Sequence, residues 1–143
     1  MSVLFDTSVL VPALVEQLPN HRGAFEIFVE RTEDSPGAVC STHALAECYA
    51  VLTALPLRRR ITCADARRLI DESIVARMEI VELGRADYDW AIDRIAARGI
   101  AGGVVYDALH VAAAQKHRCN RIYTFNVRHF RALAPTEIAV LAP

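Results

Sequence analysis

The stretch Val3-Leu4-Phe5-Asp6-Thr7-Ser8 places three apolar residues with strand propensity directly before one carboxylate and two hydroxyl side chains. Asp6 is the only charged residue between positions 1 and 15, and a lone acid in an apolar run is unfavourable unless something compensates its charge. At the carboxyl end of a parallel strand, such an acid faces the crevice where open α/β sheets carry out chemistry. We therefore predict a strand over 3–6 that ends in a functional carboxylate.

Strand and helix patterns alternate along the rest of the chain. Strand patterns occur at 38–40, 79–83, 121–124 and 138–140, and helical patterns at 8–16, 20–32, 42–53, 62–76, 86–98, 104–117 and 126–133. A turn is predicted at 33–37 and a flexible Gly-rich loop at 99–103. Strands separated by helices require a parallel sheet with right-handed crossovers. We predict a single α/β domain over residues 1–143.

The same patterns predict which side chains cap the helices and which face the core. The predicted N-caps of the first three helices are Ser8, Asn20 and either Ser41 or Thr42. The residues predicted to face inward are Phe25, Ile27 and Phe28 in the second helix, and Tyr88, Ala91, Ile92 and Ile95 in the helix over 86–98. The helix over 42–53 is apolar nearly all round, which predicts burial on several sides.

The composition is that of a compact globular protein, with 53% hydrophobic and 23% charged residues. A net charge of −1 gives no general attraction to nucleic acid. Fifteen arginines against one lysine favour a phosphate-bearing partner, with simple arginine usage as the alternative. The four cysteines fit no zinc pattern, and the short apolar run at 9–15 contains Pro12. We expect a cytoplasmic protein with reduced cysteines, no signal peptide and no membrane span.

Three carboxylates stand alone in uncharged stretches. Besides Asp6, Glu47 is the only Asp, Glu, Lys or Arg between 42 and 57, and Asp107 is the only one between 99 and 115. The other fourteen acids sit among other charges, as solvated surface acids do. Taken singly, each of the three could be a structural acid paired with an arginine. In a parallel sheet, however, all three positions lie near the same carboxyl edge.

Clustered carboxylates repel one another unless a cation neutralises them, and hard divalent ions take oxygen ligands. The sequence therefore predicts a Mg²⁺ or Mn²⁺ site formed by the three acids. The hydroxyl residues that we expect to hold the carboxylates in place are Thr7, Ser8 and Thr124. Asn126 is a possible fourth position, because its amide oxygen can ligate a metal or a metal-bound water. The alternative is that Asn126 only caps the helix that follows it.

Four motifs of the chain, taken in order, resemble those of a known family. The stretch at 3–8, the isolated Glu47, the run Tyr106-Asp107-Ala108-Leu109-His110-Val111-Ala112-Ala113-Ala114 and the run at 122–130 are together similar to the PIN domain. More narrowly, the chain resembles VapC-type ribonuclease toxins of toxin–antitoxin pairs. The motif order matches from one end of the chain to the other.

The resemblance implies a three-layer α/β/α sandwich with a short central sheet, and a metal-dependent endoribonuclease. It implies that Asp6, Glu47 and Asp107 are the family's core acids, and that Asn126 occupies its fourth acidic position, which favours one metal over two. It also implies a homodimer and a small VapB-like antitoxin that blocks the acidic crevice. Promoter DNA would be bound through the antitoxin only.

The expected reaction is hydrolysis of a phosphodiester bond by water, without a covalent intermediate. The ion lowers the pKa of a bound water, and one of the acids orients or deprotonates it. The products would carry a 5′-phosphate and a 3′-hydroxyl.

Basic tracts at 56–77 and 115–131 predict contact with the RNA backbone, and a plain solvated surface is the alternative. The arginines that we single out are Arg118, Arg121 and Arg128. Tyr106, next to Asp107, either stacks on a base or is a core tyrosine.

Other classes fit the motifs less well. A response-regulator receiver needs a second acid beside the first and a lysine on a late strand, whereas Lys116 is at a helix end. A haloacid-dehalogenase-type phosphatase needs Asp-x-Asp, and position 8 is a serine. A different kind of alternative is a PIN-like module with weak or no catalysis that serves only in binding. Asn126 is the feature that supports it.

Overall fold

A five-stranded parallel sheet forms the centre of the protein. The computed structural model describes residues 1–34 and 37–143, so Ser35 and Pro36 of the predicted turn lie outside the described residues. The strands are β1 (Val3–Phe5), β2 (Ala38–Ser41), β3 (Glu79–Val81), β4 (Arg121–Tyr123) and β5 (Ala139–Leu141), in the order β3-β2-β1-β4-β5. Every pairing is parallel; for example, Leu4 lies opposite Val39 on one side and Ile122 on the other.

Helices connect the strands. They are α1 (Thr7–Leu14), α2 (His21–Val29), α3 (Thr42–Ala54), α4 (Cys63–Leu69), α5 (Arg85–Ala97), α6 (Val104–Lys116) and α7 (Val127–Leu133), and α2 and α4 continue as π-helical turns at Glu30–Asp34 and Ile70–Val75. The side chains of β1 alternate between two cores: Val3 and Phe5 pack with residues of α1, α2, α3 and α4, whereas Leu4 packs with residues of α5, α6 and α7. These helical layers on both faces confirm the predicted three-layer α/β/α architecture.

The strand order creates a crevice between β1 and β4. From β1 the chain proceeds to β2 and β3 on one side, and then returns to β4 and β5 on the other. Connections above the carboxyl ends of β1 and β4 therefore lead away in opposite directions, which leaves an opening between them. Asp6 follows β1 and Thr124 follows β4, so both lie at this opening.

Several predictions about single side chains are wrong. Ser8 does not cap α1, because Asp6 occupies the N-cap position. Asn20 is at the N-cap of α2 but its side chain makes no capping bond, whereas Ser41 does cap α3 through the Ala44 N–H. The predicted inward residues that are largely exposed are Phe25, Tyr88 and Ile92. The buried residues of these helices are fewer than the apolar pattern predicted: Ala24 and Phe28 in α2, and Ala91 and Ile95 in α5.

Helix α3 is buried on one side only. Ala44, Cys48 and Leu52 are buried, whereas Tyr49 is 40% and Val51 39% exposed. The expected burial on several sides is therefore wrong, since no other element of the described chain covers that face. None of the helices in the described residues has the length and apolarity needed to cross a bilayer.

Candidate functional site

Asp6 is fixed at the carboxyl end of β1. Its side chain is 4% exposed, and its Oδ2 accepts hydrogen bonds from Ser8 Oγ at 2.7 Å and Thr124 Oγ1 at 2.8 Å. Its position at the N-cap of α1 places the charge at the positive end of that helix dipole. The Ser8 oxygen also accepts a hydrogen bond from the Phe125 N–H. These contacts join the segments after β1 and β4 across the crevice.

Glu47 reaches the same crevice from the second turn of α3. Its Oε1 lies 2.5 Å from His110 Nε2 and accepts a hydrogen bond from Thr7 Oγ1 at 3.2 Å. His43, one turn earlier in α3, has its Nε2 3.7 Å from the same oxygen. Burial raises the pKa of Glu47, but the hydrogen bond and charge of His110, with smaller contributions from His43 and Thr7, outweigh it and leave the pKa lowered.

His110 is a fully buried member of this site that the sequence analysis did not anticipate. Besides Glu47, it lies 3.5 Å from Asp6 Oδ1 through Nε2, and its Nδ1 is 2.9 Å from Ser41 Oγ. Burial lowers the pKa of His110, but the bond to Glu47 and the charges of Asp6, Glu47 and Asp107 raise it further than burial lowers it. The Nε2 of this imidazole thus lies within ion-pair distance of two of the three carboxylates, those of Asp6 and Glu47.

The signal for His110 was its spacing, three residues after Asp107 on one helix face. This position on the same helix face as Asp107 indicates that His110 belongs to the site and not only to the core. The sequence predicted a divalent cation among the acids, with an arginine beside each acid as the alternative, and the structure adds His110 as a partner of Asp6 and Glu47. No arginine in the described residues contacts Asp6, Glu47 or Asp107.

Asp107 lies in the first turn of α6, and its side chain is 16% exposed. Its Oδ2 is 3.3 Å from His129 Nδ1 on α7. Burial and the negative charge of Asp6 raise the pKa of Asp107, against the smaller opposing effects of His110 and His129. Both carboxylates line the same cavity, where like charges repel each other.

One cavity of about 340 Å³ connects these groups. The polar residues that line it are Asp6, Thr7, Ser8, Glu47, Asp107 and Asn126. The three isolated acids, which are distant in sequence, thus line one cavity at the carboxyl edge of the sheet, as the sequence predicted. Apolar residues of α1 and α3, among them Val11 and Val51, form the other wall.

Asn126 lines this cavity, and its side chain does not cap the helix that follows. It stands at the N-cap of α7, yet its side chain makes no capping hydrogen bond, and its own N–H donates to Thr124 Oγ1 at 2.9 Å. The interpretation of Asn126 as only a helix cap is therefore not supported by its contacts.

The donor atoms suit a hard divalent cation. Asp6 Oδ1, Glu47 Oε2 and Asp107 Oδ1 accept no hydrogen bond from any residue among 1–34 and 37–143. Three carboxylate oxygens, one from each acid, are thus available in an all-oxygen set. The set is not preassembled, because among the described residues no group of three or more His, Cys, Asp or Glu side chains is gathered into a metal-holding cluster.

The three singled-out arginines lie in different places. Arg118 follows the C-terminus of α6, about 16 Å along that helix from Asp107, and Arg121 begins β4 at the amino edge of the sheet. Arg128 alone lies beside the site, where it lines a neighbouring pocket with Asn126 and His129. The structure therefore does not bring Arg118 and Arg121 to the acidic cavity.

Two of the six arginines in the other basic tract, 56–77, form ion pairs within that tract. Arg67 forms an ion pair with Asp71, and Arg68 with Asp65 and Glu72, all within one helical segment. Such exposed pairs are typical of a solvated helix surface.

Comparison with known proteins assigns the family. The family model of the PIN domain matches residues 3–134. The chain is 38% identical over 114 residues to Ribonuclease VapC27 of Mycobacterium tuberculosis (strain ATCC 25618 / H37Rv), which covers 79% of this chain and 77% of that protein.

Solved structures share the fold at lower identity. VapC20 of Mycobacterium tuberculosis, described as a sarcin-ricin loop cleaving toxin, has a TM-score of 0.74 and 17% identity over 92% of this chain and 95% of that chain. VapBC2 from Rickettsia felis, bound to a DNA fragment from its promoter, has a TM-score of 0.68 and 15% identity over 100% of this chain and 99% of that chain. The chain belongs to the PIN domain family, and within it to the VapC ribonucleases.

Proposed function

We propose that this protein is a metal-dependent endoribonuclease of the VapC toxin type, which hydrolyses RNA phosphodiester bonds and is neutralised by a small cognate antitoxin. The observation that carries the proposal is the cavity at the carboxyl edge of the sheet, lined by Asp6, Glu47 and Asp107. The identity to a VapC ribonuclease over most of the chain supports the same activity.

The free oxygens of Asp6, Glu47 and Asp107 would hold one Mg²⁺ or Mn²⁺ ion, with Asn126 as a neutral neighbour. When bound, such an ion lowers the pKa of a coordinated water and stabilises charge on the phosphate oxygens. The chain's own residues keep the acids in position: Ser8 and Thr124 fix one oxygen of Asp6. A second-layer donor of this kind orients a carboxylate and limits its rotation.

Glu47 is positioned by the Thr7 hydroxyl and by His110 in the same way. One of the carboxylates orients the attacking water or accepts its proton, and the water then attacks phosphorus. The leaving 3′-oxygen becomes a hydroxyl, and the other product carries the 5′-phosphate. No serine, cysteine or histidine nucleophile is required.

The proposal includes partners and location. We infer a VapB-like antitoxin that covers the acidic cavity, a homodimeric toxin, and a cytoplasmic protein that contacts DNA only through its antitoxin. The solved VapBC2 complex with promoter DNA from Rickettsia felis supports the antitoxin partner.

The test is cleavage of structured and unstructured RNA by the purified protein with Mg²⁺, with Mn²⁺ or with a chelator, after removal of any co-purified antitoxin. We expect cleavage that requires metal and falls by about 100-fold or more in Asp6→Asn, Glu47→Gln and Asp107→Asn. The exposed acids Asp93 and Glu137 provide matched controls, since Asp93→Asn and Glu137→Gln leave the cavity intact. Metal-independent cleavage, or full activity in the three variants, would contradict the proposal.

A binding module without catalysis is the second candidate. Asn126 in place of an acid, and a carboxylate set that is not preassembled, both favour it. It predicts that antitoxin-free protein binds RNA or antitoxin but cleaves nothing under any metal condition. The same assay therefore separates the two functions.

A further inference from the structure

Tyr106 is an exposed aromatic residue next to Asp107, which lines the acidic cavity. It directly precedes Asp107 in the first turn of α6, and the residue is 47% exposed. It is therefore not a core tyrosine, which was one of the two interpretations of the sequence. A large aromatic side chain that remains exposed beside an active-site acid needs an explanation other than packing.

The ring is held in place by His43. The two rings are stacked, with centroids 5.0 Å apart and an interplanar angle of 16°. His43 is half-buried on α3, and its ring in turn packs on His110 at 5.8 Å. Because His43 Nε2 also lies 3.7 Å from Glu47, the aromatic pair is attached to the same wall that carries the acids.

Gly103 lies beside the tyrosine ring and has no side chain that could pack on it. Its φ of −68° is available to any residue, so the backbone does not require glycine there. A Cβ at this position would lie 3.7 and 3.8 Å from two carbons of the Tyr106 ring. A larger side chain at 103 would extend over surface that is open to a ligand.

The charges around the cavity indicate where a nucleic acid would run. On the α7 side of Asp107, Arg128 lines a pocket with Asn126 and His129, and Arg128 forms no ion pair with the residues at 1–34 and 37–143. A free guanidinium suits a phosphate, whereas the uncharged aromatic surface on α6 suits a base. The two features lie on different helices, α6 and α7, which the contact of Asp107 with His129 brings together.

We propose that Tyr106, supported by His43, is a stacking surface for an unpaired base of single-stranded RNA next to the phosphate that is cleaved. This inference rests on the proposed function and deepens it, because it assigns a subsite for the substrate. Stacking of a base on an aromatic ring tolerates different bases and contributes to binding without contact to the metal.

The test measures binding of a short single-stranded RNA in chelator, where cleavage is not expected, by fluorescence anisotropy with RNA integrity checked on a gel. Tyr106→Leu is expected to weaken binding about fivefold or more, the lower end of what one base–aromatic stack contributes, whereas Tyr106→Phe retains the parent affinity. Gly103→Leu, which covers the ring without removing it, is expected to weaken binding as well. Tyr88→Leu is the matched control, because Tyr88 is a similarly exposed tyrosine on α5, a helix that contributes no residue to the cavity lining.

A scan of single abasic positions along the RNA identifies the stacked base. One abasic position is expected to weaken binding to the parent protein and to have no further effect on Tyr106→Leu, which is the coupling that a double-mutant cycle detects. Parent-like affinity in Tyr106→Leu, or an equal loss in Tyr88→Leu, would overturn the inference.

The RNA-binding result for Tyr106→Leu can be interpreted separately from the cleavage results for the acid variants. Loss of RNA affinity in Tyr106→Leu combined with full activity in Asp6→Asn would reject the proposed chemistry and retain the stacking surface. Cleavage that depends on the acids, with no effect of Tyr106→Leu on affinity, would do the opposite. If Tyr106 contacts the antitoxin and not RNA, cleavage will depend on the acids and Tyr106→Leu will leave RNA affinity unchanged.

Discussion

At the scale of single residues, His110 is the centre of the site's hydrogen-bond network. It connects the end of β2, through Ser41, to Glu47 on α3 and to Asp6 after β1. Each of these partners comes from a different segment, so one buried imidazole fixes the relative positions of two carboxylates. A buried polar group that loses its hydrogen-bond partner is unfavourable in a low-dielectric interior. Loss of one member of this network should therefore lower the stability of the folded protein.

Removal of the imidazole should therefore affect both stability and function. We expect His110→Ala to lower the free energy of unfolding by about 1–3 kcal/mol, because Ser41 and Glu47 lose a buried partner, and to weaken Mn²⁺ binding and cleavage. His110→Gln keeps an N–H near the position of Nε2 and should restore part of both. Denaturant unfolding, Mn²⁺ titration and RNA cleavage measure the three effects.

His117→Ala is the control for this prediction. His117 is a surface histidine paired with Glu79 at the other end of α6. A folded His110→Ala protein with the parent's Mn²⁺ affinity and activity would show that His110 does not position the acids.

Asn126 provides a second prediction at this scale. Its side chain lines the acidic cavity and caps no helix, so Asn126→Asp adds a fourth carboxylate without removing a capping bond. We expect tighter Mn²⁺ binding and cleavage at least as fast as that of the parent, together with lower stability in chelator because like charges repel. Unchanged Mn²⁺ affinity would indicate that position 126 does not face the ion.

At the scale of elements, the start of α5 is tied to the end of α6. Asp87 Oδ2 accepts hydrogen bonds from the Gly84 N–H and from Lys116 Nζ, both at 2.8 Å, and Lys116 also donates to the Glu82 carbonyl. Burial raises the pKa of Asp87, but the bonds from Lys116 and Gly84 outweigh it and lower the pKa. The Asp87 carboxylate thus ties the start of α5 to the end of α6, the helix that carries Asp107, and Lys116 extends the contact to Glu82 after β3.

This contact predicts a pH dependence of stability. A carboxyl whose pKa is lower in the folded protein stabilises it above the unfolded-state pKa of about 3.9, and this contribution disappears as the pH falls through the folded value. Asp87→Asn should reduce the free energy of unfolding at pH 7 by less than about 1 kcal/mol, since the pair is partly solvated. The difference from the parent should shrink below about pH 4.

Urea unfolding of parent and variant at several pH values measures this effect. Asp93→Asn on the same helix is the control, because Asp93 is exposed and forms no ion pair with the described residues. A stability difference that stays constant from pH 7 to the acid range would contradict the assigned role.

At the scale of the whole molecule, the reversal of strand order between β1 and β4 creates the site. Residues that are about forty and a hundred positions apart in sequence meet there because every strand is parallel and ends at the same edge. The carboxylates repel one another in a partly buried cavity, and His110 lies beside only two of them, Asp6 and Glu47. A ligand that binds the folded cavity and not the unfolded chain should therefore stabilise the whole protein.

Added Mn²⁺ or Mg²⁺ should raise the melting temperature by mass action. At an ion concentration of about 100 times Kd the gain is about 2.7 kcal/mol, which is on the order of 5 °C or more for a chain of this size. Asp6→Asn should abolish most of the increase, whereas Asp93→Asn should retain it. Calorimetry in matched ionic strength tests this, and an equal increase in Asp6→Asn would mean that the ion acts elsewhere.

The sequence by itself determined the α/β class, the position of every strand and helix to within a few residues, and the three isolated acids. Strand and helix periodicity is local, and a lone charge in an apolar run is visible without coordinates. The partners of these acids were not predictable in the same way. His110 is three residues from Asp107 in sequence, but its contacts with Ser41 and Glu47 depend on how α6 packs across β2 and α3.

Exposure was decided only by the tertiary structure. Phe25, Tyr88 and Ile92 satisfy the helical pattern for burial, and Tyr106 continues an apolar run, yet all four are exposed, because a short sheet covers only part of each helix. The distribution of arginines was decided in the same way: Arg118 and Arg121 are near Arg128 in sequence, but the direction of β4 takes them to the opposite edge of the sheet. Local patterns specify which segments form; which faces remain open, and which charges meet, follow from the packing of those segments against one another.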